Sequence, residues 1–397
     1  MTNSIERRPG LRDVIAGDTQ LCELDEKASR VYLYGHSLEE LAETQSFEGV
    51  AYLTLFGEQP APNFRFGAPD VETLRKVWLT LESEPAQAHP MGLLRTAMSS
   101  YGNHVEASEP QSEQTQTLEA ERERSLRLVP HTGYLVGQVG RHREGRAWLA
   151  PRPDRGYAAE ILRLLRDEAP DDLSAKALDI TLILYAEHEF NAGSFGVRIA
   201  ASAHSDLYSS VVAGECVLRG PRHGCANEEV MKLLIDQGGN PEKIREYCDR
   251  FFEQPGARIP GFGHAVYNLP HSQDPRVAIL KPWAKELSRA KGDMRWYETI
   301  LALEEYMAER MKPRVARGNP NAPANMDLWT APIYYLLGIP IPMYTPLFAA
   351  SRIAGWAAHY LECRYVNSEP LIRPRARYVG PEARPFTASE LHGTPAH

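Results

Sequence analysis

The sequence predicts an all-α protein. Capped amphipathic stretches recur along most of its 397 residues, and no long run alternates apolar and polar residues as a half-buried strand does. In addition, residues 192–214 are rich in Ala, Gly and Ser, which lets helix backbones approach closely and puts this segment at the centre of the packing. The length has room for two domains and a substantial core.

The elements follow in order. Residues 10–36 hold short, partly β-branched pieces around Gly17 and Gly35, too broken for long helices. Ser37 and Glu40 form a capping box, and Ser46 caps the stretch Phe47 to Phe56 ahead of Gly57 and Pro60. Asp70 caps a helix bearing Leu74, Val77, Trp78 and Leu81, and His89-Pro90 opens another. Residues 102–117, polar and rich in Glu, Gln, Ser and Thr, read as an exposed loop. Helices are expected at 158–168 and 175–187. Asn227 and Glu228 open a helix with Val230, Leu233 and Leu234 on one face, closed by Gly238 and Gly239. The more charged region 240–318 carries helices at 241–253, 275–291 and 294–312, with Asp274 as N-cap and Pro275 at the first helical position. The stripe Ile300, Leu303, Met307, Met311 is core packing. The last helix runs from Thr345-Pro346 to about Glu362, and the tail after Arg384 is expected to be mobile.

Composition narrows the function classes. A net charge of −8 offers no basic face for nucleic acid and disfavours anionic membranes. Five scattered cysteines without a C-x-x-C pair read as reduced thiols. The N-terminus has no apolar signal core, and Pro332, Pro340, Pro342 and Pro346 interrupt the apolar run at 328–351, so a cytoplasmic protein without a spanning helix is expected. H-E-x-x-H fails because position 192 is Ala, the spacing of Cys216, His223, Cys225 and His264 matches no zinc knuckle, and Ala192 to Gly196 misses the G-x-S-x-G elbow. No metal is expected.

Polar groups sit where the local pattern predicts burial. His188 ends an apolar helix and, taken alone, reads first as a satisfied core histidine. His223 lies in L-R-G-P-R-H-G-C-A-N-E-E, just ahead of a helix start, where backbone donors and the helix dipole favour a neutral imidazole able to donate to a developing oxyanion. His264 ends G-F-G-H, whose glycines allow close backbone approach but lack the third glycine of a dinucleotide fingerprint. Arg352, the only charge between Pro346 and Leu361, needs an anionic partner, internal or bound. Asp327, beside Trp329, is either a helix cap or a carboxylate with a raised pKa suited to a base.

Together these stretches, with F-E-G-V-A-Y-L-T-L-F-G-E-Q-P, H-P-M-G-L-L-R-T-A, A-E-H-E-F-N-A-G-S-F, N-M-D-L-W-T-A, T-P-L-F-A-A-S-R-I-A-G-W-A-A-H and L-I-R-P-R-A-R-Y-V-G, resemble the citrate synthase family from Gly10 to Gly380. The resemblance implies an all-α homodimer with a large domain (1–224 and 339–397) and a small domain (225–338) that closes over the substrates. It implies condensation of acetyl-CoA with oxaloacetate and hydrolysis of the thioester, with no permanently bound cofactor. Asp327 would take the methyl proton, His223 would hydrogen-bond the thioester oxygen, and His264 would polarise and protonate the ketone. His188, Arg276 and Arg352 would hold the oxaloacetate carboxylates, joined by Arg373 from the partner subunit. The chain departs from the family pattern in a longer 265–275 segment, in Asn268 where a basic residue is common, in Gly193-Ser194 for Ser-Thr, in a lengthened approach from Asn319 to Ala324, and in Ala331 for a glycine, an alanine shared by some 2-methylcitrate synthases. A 2-methylcitrate synthase using propionyl-CoA is the runner-up, because one methylene in an apolar pocket is worth only about 1–3 kcal/mol. A silent member kept for binding or assembly is the alternative of another class, and intact His223, His264 and Asp327 speak against it. No N-terminal domain for NADH regulation is expected.

Overall fold

The computed structural model describes residues 9–11, 14–109, 116–254, 258–318 and 321–384. Among these the chain begins with a small antiparallel sheet of β1 (Cys22–Asp25), β2 (Arg30–Leu33) and β3 (His36–Ser37), in which Cys22 pairs with Leu33 and Leu33 with His36. Val31 and Leu33 turn into the core while Arg30 faces out. Fifteen α-helices follow: α1 (Leu38–Thr44), α2 (Phe47–Phe56), α3 (Val71–Glu82), α4 (Pro90–Ser108), α5 (Leu118–Arg143), α6 (Tyr157–Arg166), α7 (Asp172–Tyr185), α8 (Ala192–Ser202), α9 (Leu207–Leu218), α10 (Ala226–Asp236), α11 (Pro241–Phe251), α12 (Pro275–Ala290), α13 (Arg295–Val315), α14 (Met326–Leu336) and α15 (Tyr344–Leu361). The all-α class holds, with the sheet as a minor addition.

The caps lie where their chemistry predicts. Ser37 Oγ accepts from Glu40 N at 3.2 Å, Ser46 Oγ from Gly49 N at 3.3 Å, and Asp70 Oδ1 from Thr73 N at 3.0 Å. α15 is buried along its whole length and packs against α2, α5, α7, α8 and α9, so it is the axle of the molecule. The Ala/Gly/Ser-rich segment is two helices, α8 and α9, packed on each other and on α15, with His204 at φ 62° in the turn between them. α10 to α14 form a second group, with α14 against α10 and α12, and α11 against α13. α12 and α14 also touch α7, and α10 touches α15. No helix among the described residues is long and apolar enough to cross a membrane.

Two expectations need correction. Residues 102–108 are not loop but the last two turns of α4. α5 escaped notice altogether: its first turns are dense with Glu and Arg, and its interior contains Pro130. Of those charges Glu121 and Arg124 are buried as a pair while Glu119, Glu123 and Arg127 are exposed, and Thr117 caps the start by accepting from Ala120 N at 3.2 Å. Periodicity of apolar residues is silent about a helix that buries ion pairs. The tail after Arg384 lies outside the described residues.

α5 meets α6 through small residues. A Cβ on Gly137 would fall 2.6 Å from Leu164 Cβ, and one on Gly133 would run into the Tyr157 ring. Gly137→Ala is therefore expected to cost about 1–3 kcal/mol by overpacking, read as a lower urea midpoint at unchanged slope. An unchanged midpoint would mean that the contact relaxes freely.

Candidate active site

The end of α7, the segment 188–192, the turn into α10, the 263–266 loop, the start of α12, the start of α14 and α15 surround a cleft of about 450 Å³. It gathers six of the seven residues singled out from sequence: His188, His223, His264, Arg276, Asp327 and Arg352. Arg373 is exposed on the extended segment after α15 and does not line the cleft. A larger cavity of about 680 Å³, lined mainly by α12 and α13, contains none of the three histidines.

Asp327 stands in the first turn of α14, and the cap is Asn325, whose Oδ1 accepts from Asp327 N at 3.1 Å. Burial raises the Asp327 carboxyl above its ordinary value, against the opposing hydrogen bond from Tyr185 and the charge of Arg276. Tyr185 Oη donates to Asp327 Oδ1 and lies 3.0 Å from Thr330 Oγ1, so Oδ2 stays outside that bond. Trp329 is turned away, its Nε1 donating to Glu304 at 3.1 Å.

His264 is held by its own loop. Val266 N donates to His264 Nδ1 at 3.1 Å, which places the proton of the neutral ring on Nε2. The ring stacks on Tyr267 at 4.8 Å and meets His188 edge-on at 5.1 Å. His188 Nε2 lies 2.9 Å from Tyr267 Oη. Burial, then the charge of Arg276, pushes His264 down to about 4 and His188 well below its ordinary value. His223 is also pushed down to about 4, by burial and then by the Arg352 charge. The neutral imidazole expected at 223 is thus present with a different cause. The helix begins only at Ala226, with Cys225 as its N-cap, and His223 N is itself bonded to Gly220 O at 2.9 Å.

The two arginines are set differently. Arg276 places Nε and Nη2 on Asp274 Oδ1 and Oδ2, both at 2.8 Å, a bidentate buried pair. Arg352 donates from Nε to Tyr185 O at 2.6 Å and packs over the Phe348 ring at 4.9 Å. It forms no ion pair among the described residues, although it is 3% exposed, and burial pushes it down to about 10. The charge of buried Glu187 acts on it without a direct ion pair, so the guanidinium is only partly compensated and could take a bound anion. No group of three His, Cys, Asp or Glu among the described residues could hold a metal ion.

Sequence reasoning missed Tyr185, Tyr267 and the anchoring role of Asp274. Both tyrosines sit in runs that read as core, and Asp274 was legible only as a helix cap.

The comparisons with known proteins follow this geometry. The family profile "Citrate synthase, C-terminal domain" matches residues 10–375. The chain is 33% identical to a citrate synthase of Haloferax volcanii, over 96% of this chain and 98% of that one. It is 37% identical to a 2-methylcitrate synthase of Shewanella oneidensis, over 94% and 95%. Among solved structures it is similar to the ternary complex of a Thermoplasma acidophilum citrate synthase with carboxymethyl coenzyme A and oxaloacetate, with a TM-score of 0.83, 28% identity and coverage of 97% of this chain and 99% of that one.

With folded values of about 4 for His223 and His264 against 6.5 for the free side chain, the unfolded chain binds more protons across that window. Stability therefore rises with pH through the window and is lost as pH falls. The thermal midpoint is expected to drop between 6.5 and about 4, less steeply in His264→Gln. A midpoint flat across the window in the parent protein contradicts this reading.

Proposed function

The chain belongs to the citrate synthase family, and from that premise we propose that it condenses an acyl-CoA thioester, acetyl-CoA first, with oxaloacetate and hydrolyses the product to citrate and CoA. The observation that carries this reading is the meeting in one cleft of a carboxylate, neutral histidines and two buried guanidiniums. A thioester methyl is a very weak acid, so its proton leaves only if the oxygen is stabilised in the same step. Asp327 Oδ2 takes the proton while His223 donates a hydrogen bond to the thioester oxygen. The enol carbon attacks the ketone carbon of oxaloacetate, and His264 Nε2–H supplies the proton to the ketone oxygen. Water then adds to the thioester carbonyl, its proton restoring the His264 ring, and CoA leaves as the thiol with the proton that Asp327 had taken.

Arg352 and Arg276 hold the two carboxylates of oxaloacetate, with His188 beside them. Neutral histidines suit this work, since an imidazolium at 223 would give up its proton to water or to Asp327 before the enol forms. The division into a large domain (1–224 and 339–397) and a small one (225–338) puts His223 at the join, and closure of the small domain keeps water out until the carbon–carbon bond exists. A homodimer in which Arg373 reaches the partner's cleft accords with the exposed apolar residues of the same segment, Leu371, Tyr378 and Val379.

The 2-methylcitrate synthase reading differs by one methylene of acyl chain and draws on the Shewanella oneidensis relative and on Ala331, fully buried in α14. Turnover with acetyl-CoA and propionyl-CoA, each against oxaloacetate, separates the two. A clear propionyl preference overturns the first. Asp327→Ala is expected to lower kcat by about 10²–10⁴-fold while oxaloacetate still binds by calorimetry. Near-parental turnover in that variant would mean another group is the base.

A further inference from the structure

The cleft contains three guanidiniums, and oxaloacetate accounts for two. Arg276 and Arg352 are 4% and 3% exposed and lie at the depth where a small dicarboxylate would sit. The third, Arg222, is exposed at the mouth and makes neither a hydrogen bond nor an ion pair among the described residues. Of the groups lining the cleft it is the one exposed cation.

We propose that Arg222 is the phosphate contact for the coenzyme A thioester, taking the role that position 268 cannot fill in this chain. Three observations lead there. Asn268 carries no charge, and its Nδ2 is engaged with Ala265 O at 2.8 Å. Arg222 precedes His223, the residue assigned to the thioester oxygen, so the acyl arm passes it on the way in. The chain as a whole carries −8, which repels a polyanion unless cations stand at the mouth. A guanidinium there offers a planar fork matched to phosphate oxygens, and its exposure leaves it free to follow a flexible arm. A merely solvated surface charge would leave the kinetics of every substrate unchanged.

This inference rests on the condensation reading, and the test separates the two. Arg222→Ala is expected to raise KM for acetyl-CoA about tenfold, the size of one exposed charge-assisted contact, with kcat changed by less than about twofold. KM for oxaloacetate stays at the parental value. With acetyl-pantetheine, which has the thioester arm but no nucleotide phosphates, the penalty of the substitution disappears, and Arg222→Lys recovers most of the loss with acetyl-CoA. CoA binding by calorimetry weakens in parallel. An unchanged KM for acetyl-CoA, or an equal penalty on acetyl-pantetheine, overturns the assignment. A parent protein that binds CoA but condenses nothing overturns the condensation reading instead, and the calorimetry still decides for or against Arg222.

Discussion

The buried carboxylate of Asp274 is the constraint on which the site depends. Oδ1 accepts from Arg276 N at 3.1 Å and Nε at 2.8 Å, and Oδ2 accepts from Arg276 Nη2 at 2.8 Å and Met326 N at 3.0 Å. A charge 2% exposed is tolerable only when it is paired and its lone pairs are filled, and here four donors do that. Three of these bonds fix Arg276 at the start of α12, and the fourth, from Met326 N, ties that start to the start of α14, which carries Asp327. A short ladder reinforces the join: Asn325 N donates to Gly261 O at 2.9 Å, Gly263 N to Pro323 O at 2.8 Å, and Asn325 Nδ2 to Gly263 O at 3.0 Å. The His264 loop is thereby stitched to the helix that carries Asp327. Distances within the trio are set by backbone and buried ionic bonds rather than by flexible side chains.

Electrostatics then divides the labour. Burial first, and then the charges of Arg276 and Arg352, hold the three imidazoles below the ordinary histidine value and so neutral. Burial works the opposite way on Asp327, raising its proton affinity toward what a base needs. Tyr185 limits that rise with a hydrogen bond to the ionised form, so the carboxylate is neither locked as an acid nor too weak to act.

Much of this was legible in the sequence, for a physical reason. Caps are local chemistry, and Ser37, Ser46, Asp70 and Asp274 announced their helices. A charge in an apolar helix, such as Arg352, announces a partner without naming it. What stayed hidden depends on neighbours far along the chain. Tyr185 and Asp327 meet across 142 positions, and nothing in the run around Tyr185 distinguishes it from core. α5 was hidden because its first turns mix exposed charges with a buried Glu121–Arg124 pair, which breaks the apolar pattern. The cause of the neutral His223 was hidden for the same reason, since it is burial by distant parts of the chain and then the charge of Arg352 on α15.

Arg352 has a meaning for the life of the protein outside catalysis. A guanidinium sealed into α15 with Glu187 nearby but no direct ion pair is only partly compensated, and an anion bound to it would belong energetically to the core. Substrate thus acts as a missing piece of the interior: at a hundred times its dissociation constant a ligand that binds only the native state adds about 2.7 kcal/mol to stability. Steady-state abundance and resistance to proteolysis would then follow the supply of dicarboxylate, so that the amount of folded protein in a cell reports on the metabolite it consumes.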